Sequence, residues 1–403
     1  MQKTTSKKSR NLTIPILAFI MVVNALSYGT IIPLLYPYAS RFGITPWGMS
    51  LLFASYSLAQ FISTPILGRL SDRYGRKPLL LLCLAGTAGS LALFAMAKTV
   101  LVLVLARMID GITGGNVSVA QAVISDSTKG EARAKAFGML GAAFGFGFVF
   151  GPAIGGIVGS SFGITAPFWF SAILAAVAVV LGFLFLPETL EAKYKRIDQH
   201  EPIFKLHAIA HALFQPFTGV VLAISFLSAA SLNAMIIGFQ AFTVDSLKLN
   251  AGQIGLFFSV FGLIGVIMQT VGIGFVLKRF HSKKTILTLT MALTAVDMAL
   301  AYISHSLWPF FLVMMVFGVI GAFRDPMISA LLSERTNPED QGGILGINQA
   351  YISLGQIAGP LSAGLATRYF SVPLVFLLSA LYLVASTVMC RWLYIGPKHK
   401  LDL

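Results

Sequence analysis

The sequence predicts an all-α polytopic membrane protein with twelve transmembrane helices in two pseudo-symmetric six-helix halves. Three observations carry this. The chain is 56% hydrophobic and only 11% charged, whereas a soluble domain carries roughly 25% charged residues. That deficit excludes a water-soluble core. Its apolar residues fall into twelve segments, each near the roughly 20 residues that a helix needs to cross a hydrocarbon layer of about 30 Å. The second half of the chain also repeats the first.

The segments run approximately over 11–34, 48–68, 78–97, 100–124, 135–159, 166–187, 216–241, 252–276, 284–304, 308–332, 342–366 and 373–395. The first follows Lys3, Lys7, Lys8 and Arg10 and superficially resembles a signal peptide. Its apolar run is too long for one and no small-residue cleavage site follows, so it reads as a retained first helix. Between the second and third segments lies Gly68-Arg69-Leu70-Ser71-Asp72-Arg73-Tyr74-Gly75-Arg76-Lys77-Pro78, five charges in what reads as a tight turn. The fourth segment holds Arg107 and Asp110, and the fifth is dense in glycine. The longest polar stretch, from Pro187 to Gln215, divides the chain nearly in half and reads as a linker. The expected domains are therefore 1–187, a linker over 188–215, and 216–403. His200, His207 and His211 fall near this stretch without a converging Cys, so they read as solvated linker or interfacial helix rather than a metal site. Cys83 and Cys390 lie in apolar segments and read as buried thiols.

Net charge is +14. In a soluble chain this would suggest nucleic acid; here the basic residues sit in short loops and act as topology determinants. With the N-terminus inside, one face collects the N-terminal lysines, the 68–78 loop, Lys129, Arg133, Lys135, the linker cations, Lys278, Arg279, Lys283, Lys284, Arg335, Arg391, Lys398 and Lys400. The other face has only Arg41, Lys98, Lys248 and Arg368. The asymmetry predicts a multi-pass protein of the plasma membrane with both termini and the linker cytoplasmic.

The repeat is visible in the glycines. A shift of 208 residues superposes Gly138 on Gly346, Gly147 on Gly355, Gly151 on Gly359, Pro152 on Pro360 and Gly156 on Gly364. The 68–78 loop has a faded copy, in which Gly274, Arg279, Phe280 and Lys283 match Gly68, Arg73, Tyr74 and Lys77 at a shift of 206. Parallel duplication of a six-helix unit implies a solute site between the halves near the midplane.

Charges within apolar segments are expensive and mark function. Arg107 and Asp110, at i and i+3, can pair on one helix face. Asp297 has no neighbouring base in sequence; a carboxyl desolvated without a cation is costly in its ionised form, which suits a proton carrier. A fixed partner such as Arg107 or Arg324 is the alternative. Arg324 and Asp325 precede Pro326; adjacent helical residues do not face each other, so a structural or gating role with a partner elsewhere is expected. Asp72 can pair with Arg73 or Arg76, or cap a helix N-terminus. Uncharged candidates for the cavity lining are Asn24, Gln60, Asn116, Gln121, Asn233, Gln240, Gln269, Asn348 and Gln349, with Tyr28 among the aromatics. The glycines of the fifth segment, Gly147, Gly151, Gly155 and Gly156 around Pro152, allow close helix contact in lipid.

The pattern G-x-x-x-D-R-x-G-R-K at Gly68–Lys77 resembles the loop between helices 2 and 3 of major facilitator superfamily transporters. In that family the matching Asp72, Arg73, Arg76 and glycines Gly68 and Gly75 belong to a cytoplasmic gate with an acid at the inner end of helix 4, here Asp126. The run R-M-I-D-G resembles the family's helix-4 signature R-x-x-Q-G, whose Arg is tied to proton coupling; Asp110 stands where Gln is usual. The series GFGFVFGPAIGG resembles the helix-5 signature of the antiporters. Together with I-S-D-S-T and E-A-R-A-K-A-F-G-M, these motifs resemble the tetracycline-efflux-like branch of the twelve-helix drug:proton antiporters over nearly the whole chain. The acid that such pumps carry in helix 9 is matched by Asp297. Their helix-1 and helix-3 acids are replaced by Asn24 and Ser90, and their helix-8 His by Gly265, so the likeness does not extend to substrate.

The expected function is secondary active transport: proton-coupled export of small amphipathic organic compounds by alternating access, with Asp297, Asp110 and Arg107 in proton coupling. The alternatives are an importer or uniporter, or a receptor on a transporter fold. The resemblance implies no cofactor, only a proton gradient as energy source, and a monomer in the bacterial inner membrane whose partners are solute, protons and lipid. No metal-ligand spacing and no nucleophile–base constellation points to an enzyme.

Overall fold

The computed structural model describes residues 7–128, 130–190, 206–280, 282–334, 336 and 341–394. The helices are α1 (Lys7–Ile31), α2 (Leu35–Ala39), α3 (Pro46–Tyr74), α4 (Arg76–Ala95), α5 (Val100–Thr113), α6 (Asn116–Ser127), α7 (Gly130–Phe162), α8 (Ala166–Phe185), α9 (Leu206–Leu213), α10 (Thr218–Ala241), α11 (Ala251–Ile267), α12 (Ile273–Arg279), α13 (Lys283–Ile303), α14 (Leu307–Gly321), α15 (Arg324–Glu334), α16 (Gln341–Tyr369) and α17 (Leu374–Cys390). Every predicted segment is helical. Among the described residues, eleven helical spans are long and apolar enough to cross a membrane. The twelfth is α16, 29 residues long but diluted by Asn348, Gln349 and Gln356. Most of the predicted linker, including His200, lies outside the described residues, and α9 occupies its end.

Local chemistry sets several helix starts. Thr99 and Ser282 are extended and accept hydrogen bonds from Val102 N and Thr285 N, so α5 and α13 begin on side-chain caps. The predicted turn at 68–78 is tighter than expected. Helix α3 runs on to Tyr74, and Gly75 alone, at φ 113°, separates it from α4. That backbone lies in the left-handed region that favours glycine.

Two predicted spans are broken. The fourth divides into α5 and α6 at Gly114-Gly115, and the tenth into α14 and α15 at Ala322-Phe323. The eighth passes through a π-helical turn over Met268–Gly272 between α11 and α12. Such turns recur at functional sites.

The chain forms two compact units. The first comprises Met1–Gly43, Ser55–Phe204 and Asn250–Ser259, the second Ile44–Ala54, Lys205–Leu249 and Val260–Leu403. Helices α3 and α11 thus contribute to both. In the first unit α1 packs on α7 and α8, and α4 on α5 and α8. Leu17, Ile20, Met21, Leu80, Leu84, Val119 and Val123 build its core with Cys83. Phe168 closes a trio with Tyr38 and Phe94, at ring separations of 5.0 and 4.9 Å. In the second unit α10 packs on α16 and α17, and α13 on α17 and α14. Phe376 sits against Phe310 at 5.5 Å and Phe242 at 6.0 Å. Phe168 and Phe376 are both fully buried and stand 208 residues apart, the shift at which the glycines repeat. Both cysteines are buried and free.

Glycine shows why the repeat persists. A Cβ on Gly147 would collide with Ala25 of α1, and one on Gly151 would stand 2.8 Å from the Gly29 Cα. The duplicates do the same, Gly355 against Ala229 and Gly359 against Ala230 of α10. Helix pairs in lipid gain contact when backbones approach this closely.

Candidate functional site

The first group of charges gathers at the ends of α3, α4, α6 and α8. Arg76, the first residue of α4, is buried. Its Nη1 lies 2.5 Å from Asp72 Oδ1 and donates to Ser71 Oγ at 2.7 Å, while Nε donates to Asp126 Oδ2 at 2.8 Å. The structure therefore brings together Asp72, Arg76 and Asp126. It does not bring in Arg73, which is exposed and lies beside the Tyr74 ring. Gly68 supplies the carbonyl that accepts from Ser71 Oγ. Asp72 does not cap a helix. That place belongs to Glu188, just beyond α8, whose carboxylate accepts from the backbone N–H groups of Arg76 at 3.0 Å and Lys77 at 3.3 Å. Sequence reasoning left Glu188 in the linker; the available signal was an acid one residue past Pro187 at the end of an apolar run.

The second group lies inside the helices of the first unit. Arg107 and Asp110 pair at 2.7 Å on α5, one turn apart, both buried. The guanidinium stacks 4.1 Å from the Tyr56 ring centroid on α3, and Tyr28 of α1 lies 6.0 Å from Tyr56. A desolvated cation over an aromatic face is stabilised by the ring quadrupole. Arg107 Nε has no hydrogen-bond partner among the described residues. Ser90 of the facing α4 interacts with the Asp110 carboxyl, and a small cavity lined by Ile31, Ser90, Leu91, Phe94 and Ala106 borders the pair. Asp110 thus reaches, from α5, the side chain that stands at the position expected of a helix-3 acid. Gln60 joins this group by donating to Tyr56 Oη and to the Gly114 carbonyl, each at 3.3 Å, at the break between α5 and α6. Beyond the break, Asn116 donates to Asn24 Oδ1 at 2.9 Å. Gln121 is exposed.

The second unit distributes its candidates differently. Asp297, on α13, is 4% exposed, and its Oδ2 has no hydrogen-bond partner among the described residues. Arg324 is not its salt-bridge partner. It pairs instead with its neighbour Asp325, Nε to Oδ1 at 2.9 Å. The expectation that adjacent residues point apart does not hold here because the helix restarts at Arg324, and first-turn side chains can turn back on one another. Asn233 donates to the Ala229 carbonyl at 2.9 Å. Gln240 and Asn348 are buried, whereas Gln269, in the π-helical turn, and Gln349 are exposed.

The fifth-span residues divide by partner. Gly147, Gly151 and Gly155 face α1, and Thr30 Oγ1 donates to the Gly151 carbonyl at 3.2 Å. Gly156 and the Pro152 carbonyl instead face Gly252 and Gly255 of α11. Among the described residues, no group of His, Cys, Asp or Glu is placed to hold a metal ion.

Comparison with known proteins agrees with this architecture. The profile of the Major Facilitator Superfamily matches residues 17–242 and again 221–402. The chain is 31% identical over 362 residues to the class E tetracycline resistance protein of Escherichia coli, covering 87% of each chain. Its fold superposes on the nucleoside transporter NupG with a TM-score of 0.76 at 15% identity, covering 96% of this chain and all of that one. It superposes on the human organic anion transporter MFSD10 (TETRAN) with a TM-score of 0.70 at 21% identity, covering 94% and 99%.

Proposed function

We infer that this chain, which belongs to the Major Facilitator Superfamily, is a proton-coupled exporter of small amphipathic organic compounds. Membership makes it a multi-pass membrane transporter of small organic solutes and not an enzyme. Export and proton coupling are the further step. The observation that carries it is Asp297, a buried carboxyl with an oxygen that no described residue satisfies. An ionised carboxylate is expensive in such a place unless paired. A group that takes up a proton when sealed and releases it when wetted avoids that cost and couples the proton to the rocking of the protein. Arg107 and Asp110, a buried charge pair at 2.7 Å, are the next candidates for the proton site. The tetracycline-resistance relative, aligned over 87% of both chains, supports export. The Asp72–Arg76–Asp126 cluster serves as a latch on the cytoplasmic side, with both termini on that side of a bacterial inner membrane.

Membrane vesicles loaded with tetracycline and a panel of amphipathic dyes, assayed with and without a proton gradient, test this. The expected result is gradient-driven efflux that Asp297→Asn abolishes while downhill exchange persists, because binding and rocking survive. If gradient-driven efflux persists in that variant, Asp297 is not the coupling group; if both activities vanish together with protein stability, it is a structural ion-pair partner.

A further inference from the structure

Two residues beside the latch are unexplained by it. Glu188 follows α8, and its carboxylate receives four backbone N–H groups: those of Arg76 and Lys77 at the start of α4, and those of Thr189 and Leu190, both at 2.9 Å. Lys77, at the start of α4, donates Nζ to the carbonyl of Phe183 in the last turn of α8 at 2.7 Å and lies over the Phe183 ring. The two contacts are reciprocal. An anion from the end of α8 meets the N–H groups that α4 leaves unpaired, and a cation from the start of α4 meets a carbonyl that α8 leaves unpaired. Both charges have the sign that the helix dipoles favour. Gly75 completes the fit, since a Cβ there would collide with Glu188 Oε2.

We propose that Glu188 and Lys77 are positioning residues for the latch, holding the first turn of α4 so that Arg76 stands between Asp72 and Asp126. This rests on reading those three residues as the latch. Arg76 is the first residue of α4, so a slip of that turn moves its guanidinium directly. Its three side-chain contacts, at 2.5, 2.7 and 2.8 Å, leave little room for such a slip. The chain also runs from Glu188 straight into the segment that joins the two halves.

Hydrogen exchange on the full chain in lipid nanodiscs tests the proposal without any solute. Helix α6 packs on α4, and its Asp126 accepts from the side chain of Arg76, whose backbone N–H is held by Glu188. Glu188→Gln should accelerate exchange about three- to tenfold over 76–80 and also over 122–127, as expected for losing a charged cap. Lys77→Met should give the same pattern, and Glu188→Asp, which keeps the charge, a smaller rise. Acceleration confined to 76–80 and 183–190 would overturn the proposal, leaving only a staple between α4 and α8; so would no acceleration at all. The latch reading fails separately, if Asp72→Asn transports at full rate.

Discussion

Arg107 has a buried guanidinium with one anion, one aromatic face and an Nε that no described residue accepts from. Its charge is tolerable only while Asp110 is present. Removing one member of a buried pair costs about 3–5 kcal/mol, whereas replacing both by apolar groups of similar volume is often neutral. Asp110→Ala should therefore lower the unfolding midpoint of the purified protein by roughly 5–15 °C, and Arg107→Met/Asp110→Leu by much less. Equal losses in the single and double variants would show that the pair is not thermodynamically coupled. The pairing was legible in the sequence because i and i+3 share a helix face. The Tyr56 stack was not, because it joins residues from different helices. Nor was the choice of Arg76 over Arg73 as the partner of Asp72. That depends on α3 staying helical to Tyr74, which places Asp72 and Arg76 one turn apart with Gly75 as the only interruption.

At the scale of helices, the ends carry the charged machinery. Three acids from three segments converge on the first turn of α4: Asp72 and Asp126 on the Arg76 side chain, Glu188 on its backbone. Topology alone needs only lysine and arginine; the acids are what the proposed latch requires. Asp72→Asn should leave expression and membrane insertion near normal while cutting transport severely, as measured by vesicle efflux against protein abundance. Full transport in that variant would reduce the motif to a topology signal. The helices themselves were legible from their length and hydropathy. Their ends extended past the predicted spans because α3, α7 and α16 continue beyond the apolar run, where amphipathic turns carry the loop charges. The two mid-span breaks were not legible. Gly114-Gly115 reads equally well as close packing, and Pro326 acts at a distance of one turn.

For the molecule as a whole, the lysine and arginine distribution is the ground for the proposed cytoplasmic termini, since the fold leaves orientation open. Cysteines placed singly at Lys98 and Lys195, with Cys83 and Cys390 replaced, should label from opposite sides of sealed cells; labelling of both from outside would overturn the assignment. The duplication was legible because its glycines are fixed by backbone contact: Gly147 and Gly151 against α1 recur as Gly355 and Gly359 against α10. Solute preference was not, because the candidate lining residues Asn24, Gln60, Asn233 and Gln240 carry no pattern that names a ligand. The breaks in the fourth and tenth spans fall at 114–115 and 322–323, again 208 residues apart. Their chemistry differs. The first copy bends at paired glycines, whereas in the second Pro326 takes away the N–H that would bond the Ala322 carbonyl. The same bend thus stands at the same place in both copies on two different chemistries, so the position of the bend, and not the residues that make it, is what the two units have in common.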